Sequence, residues 1–178
     1  MRNERGFTLA ELLVAVAVIG LLMGALFVTL QQGQSAYLFG ASRAEVQQNG
    51  RLALQKIVEE LRTASAVTAL VAAPPSITFT FLDDAGTLTT VAYSLNGTNV
   101  QRNQTAPVPA AAQPETLVGG VTSLTLTCFD QNGNVTTVPA NVFTVQVGIT
   151  TQPERPVAGY SPANQQVVFQ DRVKLRNK

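Results

Sequence analysis

Gly6-Phe7-Thr8-Leu9-Ala10-Glu11 opens the run GFTLAELLVAVAVIG, from Gly6 to Gly20, and the reading of this run decides the rest. It continues through LLMGALFVTL, so that from Phe7 to Leu30 the one charged side chain is Glu11. As a helix rising about 1.5 Å per residue, this stretch is about 36 Å long, enough to cross a hydrocarbon layer of about 30 Å. Arg2 and Arg5 precede it, and the next basic residue beyond it is Arg43. The positive-inside bias therefore predicts a cytoplasmic N-terminus and an exported remainder. A carboxylate inside such a span is costly and calls for a compensating partner.

Working outward, the composition narrows the function classes. The 178 residues suit one ordinary domain plus an appendage, and 46% hydrophobic against 13% charged residues is not the balance of a disordered chain. A net charge of +1 supplies no broad field for steering the whole molecule onto nucleic acid. There is no His and no Trp, and the single Cys128 cannot form an intramolecular disulfide or a cysteine-based metal site. The usual general base and the commonest zinc ligands are thus missing from the sequence. No cofactor, no metal site and no catalytic residue are expected.

No proline occurs before Pro74, and LALQKIVEELRTA sets Leu54, Ile57, Val58 and Leu61 at helical spacing. One helix from about Thr8 to about Ala66 is expected, weakest between Gly33 and Gly50, where bending or local melting is plausible because glycine is a poor helix former. It should stop before Pro74 and Pro75. Beyond them the pattern becomes strands and turns. SITFTFL (76–82) and TLTTVAYSL (87–95) read as a hairpin, and Asn96-Gly97 turns into TNVQR. TAPVPAAAQPE (105–115) reads as a loop, and VTSLTLTCFD with NVTTV as a second hairpin across DQNGN. NVFTVQVGIT, the loop QPERPVAGYSP and QQVVFQDRVKLRN follow, the first and last as strands. The expected fold is α+β: a long N-terminal helix, one half transmembrane and one half amphipathic, packed on a C-terminal antiparallel sheet.

The leader ending in Gly6, the aromatic Phe7 and the carboxylate Glu11 four residues later resemble the N-terminal signature of type IV prepilins and the pseudopilins of type II secretion. The resemblance implies the pilin fold. It also implies cleavage by a prepilin peptidase between Gly6 and Phe7, N-methylation of Phe7, and packing of the mature helices into a filament core. Its partners would be that peptidase, other pilin or pseudopilin subunits, an inner-membrane assembly platform and membrane lipid. The division that follows is a leader at 1–6, a transmembrane and filament-core helix at 7–30, its amphipathic continuation at 31–66 and an extracytoplasmic head at 67–178. RLALQKIVEELRTA and FQDRVKLRN resemble the J-type minor pseudopilin and W-type minor pilin group.

The residue chemistry supports the same reading. Cleavage before Phe7 creates a cationic amine about 6 Å along the helix axis from Glu11. A neighbour shifted axially by that step brings its amine beside this carboxylate, and a charge-assisted pair in low dielectric sets register as well as attraction. Three plainer readings stand beside it. Thr8 and Glu11 fit a capping box, which would satisfy Glu11 within its own chain. Residues 1 to 25 could be an ordinary secretory signal peptide, although the apolar run is longer than the 7 to 15 residues or so of a secretory signal core, or the run could be an uncleaved signal anchor on an unrelated periplasmic domain. Gly20 and Gly24 have the G-x-x-x-G spacing that permits close helix packing.

Other candidates read as structure. Asp83, Asp84 and Gly86 form a turn, and Asp130, Asn132 and Asn134 are a hairpin turn rather than a calcium loop. Cys128 is expected in the packed face of a sheet, and Arg172, Lys174 and Arg176 alternate along one strand face where they could touch nucleic acid or an acidic partner. The expected function is that of a non-enzymatic minor subunit, in the initiating or tip complex of a pilus or pseudopilus. It would reside first in the inner membrane and then in a periplasmic or surface filament. The alternatives are an abundant major pilin, or a membrane-tethered tip module that binds DNA or a surface ligand.

Overall fold

A computed structural model of the chain describes residues 7–83, 85–109, 112–154 and 165–176. Two compact units are distinguished, residues 1–41 and residues 42–178. One helix, α1, Leu9–Thr63, contributes to both. In the first unit the helix is apolar and bare: Leu12, Val16, Ile19, Met23, Leu26 and Leu30 are all exposed. The helix is long and apolar enough to cross a membrane, and its most hydropathic window has no buried residue. The helical hydrogen bonding persists through Gly33, Gly40 and Gly50, so the local melting envisaged there does not occur.

In the second unit, packing explains why the helix tolerates Gly50. Val46, Gly50, Ala53, Ile57, Val58, Glu60 and Leu61 form its buried stripe, with the steps of three and four that place residues on one helix face. Gly50 is a contact rather than a defect: a Cβ there would overlap the ring of Phe169. The remaining elements are strands β1 Ala64–Val71, β2 Ser76–Leu82, β3 Leu88–Asn96, β4 Asn99–Ala106, β5 Glu115–Val118, β6 Val121–Phe129, β7 Thr144–Thr151 and β8 Val167–Lys174, with a short 3-10 turn at Pro139–Asn141.

These strands make two antiparallel sheets rather than the single sheet expected, ordered β1-β2-β3-β4-β5 and β6-β7-β8. The amphipathic part of α1 packs with both in one core. Ile57, Leu61, Phe79, Tyr93, Val145, Val147 and Ile149 are fully buried there. Each such side chain contributes about 1.5 to 3 kcal/mol relative to exposure. Alternation along β2 and β3 sends Ile77, Phe79, Val91 and Tyr93 inward, and Phe79 stacks on Tyr93 with ring centroids 6.0 Å apart.

The expected hairpin of β2 and β3 pairs from Leu82↔Leu88 to Ser76↔Ser94, and the turn at Asn96-Gly97 leads directly into β4, with Gly97 at φ 60°. Three expectations are corrected. The helical span of 31–66 ends at Thr63, because Ala64, Ser65 and Ala66 already belong to β1, which lies along β2 with Ala64↔Phe81 and Leu70↔Ile77 in register. The Pro/Ala segment at 105–115 yields at its end to β5, paired with β4. NVTTV does not form the second arm of a hairpin. Only Val135 bridges Phe129, and β6 pairs instead with β7 along its whole length. The leader, Asp84 and most of the loop QPERPVAGYSP lie outside the described residues.

Candidate functional site

Glu11 is the acidic residue in the first turn of α1. Its Oε2 accepts hydrogen bonds from the Thr8 amide and the Thr8 hydroxyl, each at 2.9 Å, while the Glu11 amide donates to Thr8 Oγ1 at 3.3 Å. This is a capping box, and it answers two of the amides that a helix start leaves without intrahelical partners. Among the described residues Oε1 takes part in none of these bonds. Among the described residues the carboxylate is therefore half engaged, with one oxygen held in place by Thr8. Phe7 immediately before it is 89% exposed. Gly6 lies outside the described residues. Gly20 and Gly24 have no neighbouring atom within reach of an added Cβ, so that face of the helix is open along its length within the first unit.

A second polar constellation was not anticipated from the sequence. Glu60 lies on the buried stripe of α1, only 8% exposed. Its Oε2 accepts from the Tyr93 hydroxyl of β3 at 2.7 Å, and the Arg102 Nε of β4 lies 3.1 Å from both of its oxygens. Lys56, one helical turn earlier, adds an ion pair at 3.1 Å. Burial and the adjacent Glu60 charge push the Tyr93 hydroxyl well above its ordinary pKa. Burial works against the Arg102 charge, but the hydrogen bond to Glu60 and the charge of Glu60 outweigh it and raise the pKa. The carboxylate is saturated and fixes the last turns of α1 against the five-stranded sheet.

The remaining candidates resolve into structure. Asp130 Oδ1 accepts from the amides of Asn132 and Asn134 at 2.9 and 2.8 Å, which holds its carboxyl below the usual range and commits it to the turn. Asp83 Oδ1 accepts from the amides of Ala85 and Thr87 at 3.0 and 2.7 Å and belongs to its own turn. Cys128 is buried on β6, and burial pushes its thiol up to about 11. Among the described residues no three His, Cys, Asp or Glu side chains are grouped so as to hold a metal ion. Arg172, Lys174 and Arg176 are exposed on one side of β8 and its extension, as their alternation predicts.

The first unit thus offers a helix long and apolar enough to cross a membrane, with Glu11 in its first turn, and the second unit holds two antiparallel sheets. Residues 1–27 match the family profile described as the prokaryotic N-terminal methylation motif. Among solved structures the chain is similar to the type IV-like pilin TTHA1219 from Thermus thermophilus. The likeness has a TM-score of 0.55 at 12% identity and covers 74% of this chain and 97% of that one. At that identity it is a likeness of fold. No curated protein sequence matches the chain. The chain thus combines a match to the prokaryotic N-terminal methylation motif over its first 27 residues with a fold similar to that of a type IV-like pilin.

Proposed function

We propose that the chain is a minor subunit of a type IV pilus or type II secretion pseudopilus. In this reading prepilin peptidase cuts between Gly6 and Phe7 and the new Phe7 amine is methylated. The mature chain is then drawn from the inner membrane, head outward, into the initiating or tip complex of a filament. The observation that carries the reading is the state of Glu11. Its Oε2 is held by Thr8, and among the described residues Oε1 accepts no hydrogen bond, which suits an incoming cation. The capping role and the assembly role therefore coexist on one carboxylate. The methylated amine of an adjacent subunit is the cation of the right charge and reach, and the open faces at Gly20 and Gly24 suit close packing of neighbouring helices. Its partners in this scheme are the peptidase, other pilin or pseudopilin subunits, the assembly platform and surrounding lipid.

Intact mass of the membrane-extracted protein tests the processing step. The expected chain begins at Phe7 and carries one added methyl; a chain still beginning at Met1 in cells that contain the peptidase would refute the cleavage. The minor assignment rests on the likeness of residues 51–64 and 169–177 to the J-type and W-type group. Quantitative mass spectrometry of purified filaments decides it, since a major subunit would dominate the preparation.

A further inference from the structure

Four cations gather where the end of α1 meets β8. Arg62 stands in the last turn of the helix, where it also offsets the carbonyl end of the helix dipole. Arg172, Lys174 and Arg176 project from alternate positions, separated by the buried Val173 and Leu175. The Arg176 amide donates to the Arg62 carbonyl at 3.2 Å, tying the two segments together. Together the four line an open depression of about 590 Å³. None of them forms an ion pair with a carboxylate among the described residues, whose ion pairs all centre on Glu60. Two are held from beneath by aromatic rings: the Arg172 guanidinium lies 4.0 Å from the Phe129 centroid, and the Lys174 ammonium 4.6 Å from that of Phe143.

The concentration of charge is local. The chain has 12 basic and 11 acidic residues, so outside this cluster acidic residues outnumber basic ones. Alternate residues of a strand are spaced by roughly 6.7 Å, less than the screening length of about 8 Å at physiological salt, so the three strand cations act on a ligand together. Cation–π contact limits the side-chain freedom that binding would otherwise remove. Three of the four are arginines, whose planar forks engage phosphate oxygens two at a time. An evenly spaced row of cations, with a fourth across the depression, matches a linear polymer carrying a regularly repeated anion. Carboxylates scattered over a folded acidic protein surface have no such repeat.

We infer that the groove formed by Arg62, Arg172, Lys174 and Arg176 binds a linear chain of phosphodiesters or phosphates. This goes beyond the assembly reading and stands apart from it, since none of the four residues lies in the apolar segment. The test uses the full-length protein in neutral detergent and a fluorescent single-stranded oligonucleotide of about 20 thymidines. Anisotropy is followed from about 50 mM to about 200 mM salt. With four phosphates neutralised, the slope of log affinity against log salt is expected near −3, and each single change to Gln at the four positions should reduce its magnitude by about 0.7. Arg172→Lys and Arg176→Lys keep the charge and should keep the slope, which separates loss of charge from loss of fold. Arg51→Gln removes an exposed cation elsewhere on the head and should change nothing. Displacement by inorganic polyphosphate supports the shared chemistry, and tighter binding of the oligonucleotide assigns it to nucleic acid. The inference is overturned if no binding occurs at about 50 mM salt. It is also overturned if Arg51→Gln matters as much as the four, or if polyglutamate of equal charge competes as well as polyphosphate. Any of these failures would leave processing and filament insertion untouched.

Discussion

Glu11 and Glu60 occupy the same helix and could hardly be treated more differently by it. Glu60 is enclosed by Tyr93, Arg102 and Lys56, with both oxygens engaged, and its network is complete within one chain. Glu11 gives Oε2 to its own helix start, and among the described residues its other oxygen accepts no hydrogen bond. The residues around each match. Below residue 42 no described helix residue is buried and only Ser35 and Phe39 are half-buried, whereas from Val46 to Leu61 the helix buries a continuous stripe. One half of α1 is finished by folding; under the proposed function the other is completed by neighbouring subunits, and Glu11 and Glu60 are divided between the two processes.

Removing Glu60 should break the finished half most severely. Glu60→Ala strands the Arg102 guanidinium and the Tyr93 hydroxyl in a largely buried site. Breaking a buried pair from one side costs about 3 to 5 kcal/mol, and the partly accessible Arg102 places the expected loss near the lower figure. Denaturant unfolding of the full-length protein, followed by tyrosine fluorescence, measures it. A loss under about 1 kcal/mol would mean that the network contributes no more than a surface ion pair.

Glu11→Ala should do the reverse. Head stability and cleavage after Gly6 stay unchanged, while the amount of subunit recovered in filaments falls by roughly tenfold or more, the scale of one lost charge-assisted hydrogen bond. Wild-type incorporation of this variant would show that the two carboxylates are not divided between folding and assembly.

The smallest expected effect sharpens the boundary between the halves. Gly50→Ala gains up to about 1 kcal/mol of helix propensity but drives a methyl into the Phe169 ring, for which overpacking costs about 1 to 3 kcal/mol. A net destabilisation of about 1 kcal/mol is expected, relieved by pairing the change with Phe169→Leu. The same substitution at Gly40, where an added Cβ meets nothing, should stabilise or leave the chain unchanged. If Gly50→Ala raises stability as Gly40→Ala does, then Gly50 is a propensity defect and not a contact.

Much of this arrangement was legible in the sequence because its signals are local. The apolar run, the hairpin of β2 and β3, the Asn96-Gly97 turn and the strand identities of β6, β7 and β8 each follow from neighbouring residues. Strand β1 escaped notice because ASAVTALV is rich in Ala and continues a helical rhythm; pairing with β2 overrides that preference. The division into two sheets depends on which strands find one another, and NVTTV had strand composition but bridges β6 at Val135 alone. The Glu60 network was hidden for a similar reason, since Tyr93 and Arg102 lie 33 and 42 residues away in the chain. A trace of it was present nonetheless. Ile57, Glu60, Leu61 and Ala64 stand at i, i+3, i+4 and i+7, which places a carboxylate on the apolar stripe where a buried cation must answer it.

The junction at Thr63 and Ala64 has a mechanical meaning. Helix and strand are consecutive there, with no linker residue to straighten under load. Tension that reaches the end of the helix passes at once to the β1–β2 ladder, while Glu60, one turn earlier, grips β3 and β4 through Tyr93 and Arg102. Force is thereby shared among four strands before any one of them can peel away. Under the proposed function such a junction suits a subunit that is pulled rather than merely held.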